Sequence, residues 1–111
     1  MSKSVLNRPF MHCIDKDGKF ITSKKYKAIL SLYALVKGKG FVELMRSWDG
    51  WQVNIYAKNG KRIGDAAQNF GTSGAKQDLI EVYGFNLNDP VGNLTVEEAY
   101  KYFEPHLKGV K

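Results

Sequence analysis

Two tight turns between residues 41 and 68 constrain this chain more than anything else in it. Trp48-Asp49-Gly50 and Asn59-Gly60 separate three strand-like segments, 41–47, 51–58 and 62–68. Asn-Gly favours the left-handed backbone of a two-residue hairpin loop. Strands joined this tightly run antiparallel, because parallel neighbours need a long crossover. In the middle segment Trp51, Val53, Ile55 and Ala57 fall on one side. Gln52, Asn54 and Tyr56 fall on the other, which is the alternation of a strand with one buried face. The loop Gly71-Thr72-Ser73-Gly74 precedes a fourth strand over 79–85, and Asp89-Pro90 marks another turn.

Helical spacing flanks these strands. Tyr26, Ile29, Leu30, Tyr33 and Val36 recur at the period of a helix that Thr22 or Ser23 caps and Gly38-Lys39-Gly40 ends. Thr95-Val96-Glu97-Glu98 has the form of a capping box, and Pro105 stops the helix that follows. The Asn93-Leu94-Thr95 sequon is explained by that cap. Phe10–Ile14 and Lys19–Thr22 read as a small hairpin about Asp15-Lys16-Asp17-Gly18, with residues 1–9 loosely ordered. The expected fold is one α+β domain over residues 1–111. It has a mostly antiparallel sheet of four or five strands, with helices near 23–37 and 95–104 packed on one face.

Charge divides the chain. Residues 1–62 carry 13 Lys and Arg against 4 Asp and Glu, whereas residues 63–111 carry 4 against 7. A basic front and a mildly acidic back make up the net +6 and favour an acidic or polyanionic partner. Lys24, Lys25 and Lys27 oppose the dipole of the first helix, so folding does not ask for them. The alternative is a solvated lysine face. Trp48, Trp51 and Tyr56 gather around one hairpin with Arg46, Lys58, Lys61 and Arg62 close by. Rings among cations suit either single-stranded nucleic acid or a protein hot spot. The structural alternative puts Trp51 inside and Trp48 outside, with the charges guarding a sheet edge.

The chemical motifs are incomplete. Asp15-x-Asp17-Gly18 begins like a calcium loop, but Tyr26 stands where the closing carboxylate belongs. His12 and Cys13 are adjacent and point to opposite faces of a strand, so they form no nucleophile–base pair. With His106 they make no zinc set. Cys13 reads as a small core residue and excludes an internal disulfide. Ser73-Gly-Ala-Lys76 has the spacing of a serine acyltransferase nucleophile and its lysine, without the companion motifs. The same loop offers backbone amides to an anion, or serves as a plain connection. Residues 37–44 agree with the RNA-recognition octamer at six of eight positions, but Lys39 and Leu44 replace two of its aromatics. No apolar run at the Met1 end has signal-peptide length, and none reaches the ~18 residues of a membrane span. The expected setting is cytoplasmic.

The stretch from Gly71-Thr72-Ser73-Gly74 through Leu79-Ile80-Glu81-Val82 to Val91-Gly92-Asn93-Leu94-Thr95-Val96-Glu97-Glu98 resembles the tails of small phage- and prophage-encoded proteins of Gram-positive bacteria. Ser73 stands where those tails have an aromatic, and Asp78 where they often have glycine. The resemblance implies a viral accessory protein with a four-strand-plus-helix arrangement, and it carries no activity. Together these readings point to a non-enzymatic binding protein with no cofactor or metal. Its binding surface would comprise Lys24, Lys25, Lys27, Lys37, Lys39, Arg46, Trp48, Tyr56, Lys58, Lys61 and Arg62. The partner is an acidic host protein, or alternatively DNA or RNA.

Overall fold

Alternating burial and short hairpin loops give a meander. The computed structural model describes residues 26–107. Strands β1 (Phe41–Ser47), β2 (Gly50–Tyr56), β3 (Arg62–Gln68), β4 (Ile80–Gly84) and β5 (Val91–Leu94) pair in that order, each antiparallel to the next. Helix α1 (Lys27–Val36) precedes the sheet, and α2 (Val96–Phe103) follows it, ending in a 3-10 turn at Glu104–His106. This is the expected α+β fold with a five-stranded sheet. The expected hairpin at 10–22, His12, Cys13, Lys24, Lys25 and the Thr22 or Ser23 cap lie outside the described residues.

Register decides which side is core. Leu44 opposes Val53, Val53 opposes Ala66, and Ala66 opposes Val82. Val53, Ile55, Ala66, Ile80 and Val82 are buried with Ile29, Leu32 and Val36 of α1 and Ala99 and Phe103 of α2. Both helices therefore cover the same face and pack against each other. The fourth strand is shorter than expected. β5 comes from residues 91–94, which lie between the expected turn at Asp89-Pro90 and the expected cap at Thr95 and belong to no expected element. Gly92 and the left-handed Asn93 (φ 59°) hide its alternation. The capping box of α2 is complete. Thr95 Oγ1 accepts from the Glu98 amide at 3.2 Å, and Glu98 Oε1 accepts from the Thr95 amide at 2.8 Å.

The start of α1 is held differently. Tyr26 occupies the cap position and offers no capping oxygen. Asp78, in the loop before β4, takes the role instead. Its Oδ1 accepts from the amides of Lys27 and Ala28, each at 3.0 Å, and from Gln68 Nε2 at 2.7 Å. Gln68 Oε1 in turn accepts from the Ile29 amide at 3.0 Å. Three amides of the first turn are thus satisfied by the end of β3 and the loop beyond it. Burial alone would push the Asp78 carboxyl up. The Ala28 amide, the Gln68 side chain, the Lys27 amide and the Lys27 charge outweigh it and hold the carboxyl below its usual range. A negative charge also suits a helix N-terminus.

At the opposite end of the sheet, Gly64 pairs with Gly84. Gly84 has φ 87°, and the left-handed run continues through Phe85 (φ 51°) and Asn86 (φ 63°). That path folds the Phe85 ring back over Gly64, where a Cβ would stand 2.5 Å from it. The ring also meets Phe103 at 5.2 Å and Tyr102 at 5.8 Å between centroids. β4, β3 and α2 close around it.

Two outcomes follow. Asp78→Ala is expected to lower stability by about 1–2 kcal/mol, the usual range for losing a helix cap. Asp78→Asn keeps an acceptor but loses the charge. Its deficit should be present above the ordinary carboxylate pKa of about 3.9 and vanish as pH falls through the lower folded value. Gly64→Ala should cost about 1–3 kcal/mol by overpacking against Phe85. Urea unfolding followed by tryptophan fluorescence measures each.

Candidate functional site

The register sorts the predicted contact residues by place. Phe41 opposes Tyr56, and Tyr56 opposes Arg62. The start of β1, the end of β2 and the start of β3 therefore share one end of the sheet, called here the near end. Lys37 and Lys39 lead into β1, Lys58 and Lys61 lie in the β2–β3 connection, and Arg62 opens β3. All five are exposed. The last turn joins them, since a Cβ on Gly40 would lie 3.6 Å from the His106 carbonyl oxygen. Asp89 and Glu104 are exposed at the same end, toward β5 and α2. Glu43, bound to Tyr56, and Asp65, 3.7 Å from Arg62, add two further acids near this end, while Lys58 to Arg62 has none within it.

The remaining predicted residues do not gather there. Lys27 starts α1 at the far end, beside Asp78. Arg46 is 7% exposed, and its guanidinium carbon stands 4.2 Å from the Trp51 ring centroid. It belongs to a buried cation–π contact, and it is withdrawn from the surface set. Trp51 is half-buried on the helix side, and its Nε1 is buried without a hydrogen-bond partner. Trp48 is 54% exposed, as expected, but at the far end. A strand of this length spans roughly 20 Å, which carries Trp48 and Trp51 away from Lys58 and Lys61. The expected mixing of indole rings with these cations is therefore not found.

At the far end Trp48 makes an edge contact with Phe70, 69% exposed, at 5.8 Å. Trp48 takes φ 55° at the first loop position of the β1–β2 hairpin, where glycine is usual. Asp49 fastens the region, because Oδ1 accepts from the Phe70 amide at 2.9 Å and Oδ2 from the Tyr26 hydroxyl at 2.6 Å. Phe70 was invisible to sequence reading, since a single ring before a glycine carries no pattern.

The sheet face away from the helices holds a polar chain. Tyr56 donates its hydroxyl to Glu43 Oε1 at 2.7 Å, and Asn54 Nδ2 donates to the same oxygen at 3.0 Å. Gln52 Nε2 and Arg62 Nη1 donate to Asn54 Oδ1 at 2.7 and 3.3 Å. Arg62 also lies 3.7 Å from Asp65 Oδ2. Burial, then the Glu43 hydrogen bond and charge, push the Tyr56 hydroxyl up. Tyr56 is thus a member of this network, which fixes its ring beside Glu43 and Asn54. Burial also raises the Asp65 carboxyl, with Arg62 opposing and Glu81 adding to the rise.

The chemical motifs resolve as connections. Three of the four amides of the Gly71–Gly74 loop have partners: Gly71 donates to Asn69 Oδ1 at 2.8 Å, Thr72 to the Asn69 carbonyl at 3.0 Å, and Ser73 to Glu81 Oε2 of β4 at 3.4 Å. A carboxylate of the chain already meets the amide that an anion would need. Ser73 and Lys76 are both exposed, with no hydrogen bond between them. The octamer-like segment ends on β1, the terminal strand of the described sheet. Among the described residues no group of three or more His, Cys, Asp and Glu is placed to share a metal ion, and no helix is long and apolar enough to cross a membrane. Compared with protein-family models, curated proteins and solved structures, the chain finds no match in any of the three.

A raised carboxyl contributes stability that is full below the ordinary pKa and fades as pH rises through the folded value. Asp65→Asn should therefore gain on the wild type as pH rises from about 3 to about 7, the reverse of Asp78→Asn. Urea midpoints across that range give the two signs.

Proposed function

We propose that this chain is a binding protein without catalytic chemistry of its own, engaging an acidic protein partner through the near end of its sheet. One observation carries the reading. Of the predicted surface cations, Lys37, Lys39, Lys58, Lys61 and Arg62 are brought to the same end by strand register, and all five are exposed. Clustered like charges raise the encounter rate with an opposite surface and repel cationic partners. Lysines on loops hold their charge in water without a fixed geometry, which suits an irregular carboxylate surface better than a shaped small-molecule site.

An acidic protein is favoured over single-stranded nucleic acid because the rings at this end are few: the indoles lie elsewhere, the Tyr56 hydroxyl is bound to Glu43, and Phe41 is the exposed ring beside Lys39. Base stacking supplies much of the binding to single strands. Duplex DNA, whose phosphates need no rings, is the remaining competitor. The resemblance of the 71–98 stretch to phage and prophage tails supports an accessory role in a host cytoplasm.

The test compares the wild type with a variant carrying Lys37, Lys39, Lys58 and Lys61 all changed to Gln. Each immobilised protein is exposed to nuclease-treated and untreated host extract. A bound protein that survives nuclease and is lost from the variant is the expected result. Binding that disappears with nuclease, and weakens with a log–log salt slope of about 0.9 per phosphate contacted, would replace the acidic partner with DNA.

A further inference from the structure

The near end holds a groove of about 320 Å³ between the β2–β3 connection, the left-handed turn after β4 and the last turn of the chain. It is lined by the apolar Ala57, Ile63 and Phe85 together with Asn59, Lys61, Arg62, Asn86 and His106. The volume lies at the small end of the range for ligand pockets, ~300–1,000 Å³. That is room for a side chain and its neighbours.

We infer that this groove receives one large apolar side chain from an acidic polypeptide segment, whose flanking carboxylates meet Lys61, the lining cation that no carboxylate of the described residues holds. The inference rests on the binding role proposed above and names the chemistry of its partner. Charge complementarity selects the occupant. Lys58 and Lys61 stand exposed in the β2–β3 connection beside the groove, while Arg62 is partly matched by Asp65 at 3.7 Å. The apolar part of the lining asks for an apolar group, so neither a bare polyanion nor a neutral peptide satisfies both parts.

The groove is preformed. Phe85 is fixed by its left-handed backbone, by its amide bond to the Ile63 carbonyl at 2.8 Å and by its place over Gly64. A partner would therefore order little of this protein on binding, which favours affinity from a small contact.

The test uses fluorescence anisotropy with three labelled probes: a Glu-rich peptide carrying one Leu, the same peptide with Ser in its place, and a DNA duplex of equal charge. The Leu peptide should bind about tenfold or more tightly than the Ser peptide, the gain expected from burying much of one apolar side chain. Ala57→Leu, which fills the groove, should erase that difference and leave the Ser peptide's affinity unchanged. Its circular dichroism melt reports whether the fold is kept, and the two-peptide comparison on the wild type stands without it. Equal binding of both peptides would overturn the groove inference and leave the cationic end as an acid-binding surface. Binding of the duplex with neither peptide bound would overturn both.

Discussion

The carboxylate of Asp78 ties the layers of this protein together. One oxygen receives the first two amides of α1 and the side chain of Gln68, and Gln68 passes the connection to a third amide. A helix N-terminus has unpaired donors and a partial positive charge, and here both are answered by residues some fifty positions later in the chain. The direction of α1 over the sheet follows from that attachment. So does the delivery of Lys37 and Lys39 to the near end, one helix length away.

A second constraint shapes the near end itself. The Gly64–Gly84 pair leaves a gap in the sheet face, and Phe85 turns left-handed to fill it. The same turn makes one wall of the groove. Phe85 thus has two places at once: it packs against the core cluster, and it lines the groove together with Lys61 and Arg62. The two ends of the sheet then differ in character. One presents exposed cations around a groove lined in part by Ala57, Ile63 and Phe85, and the other presents Trp48 and Phe70, the Phe70 amide held by Asp49.

Much of the fold could be read from local pattern. The reversal at Asn59-Gly60, the alternation through Val53 and Ile55 and the Thr95–Glu98 box each depend on neighbours within a few residues, and each is found. The reversal, however, is a three-residue loop, Lys58-Asn59-Gly60, with only Gly60 left-handed, and not the expected two-residue one. β5 escaped because Gly92 and Asn93 interrupt its alternation. The cap of α1 escaped for another reason. Its acceptor lies outside the helix, so no reading of residues 22–30 contains it. The candidate surface was legible only as charge. Arg46 looked like a surface cation, yet its alternation with Leu44 places it on the buried side, over Trp51.

By itself the sequence determined the antiparallel class, the helix-covered face and the excess of cations before residue 63, because turn chemistry, periodicity and composition are local or additive. The tertiary structure decided which charges stand together and which rings stand apart. Strand length carries residues near in sequence to opposite ends of the sheet, as with Trp51 and Lys58. Register and chain reversal bring Lys39, Arg62 and His106 to one end from three separate elements.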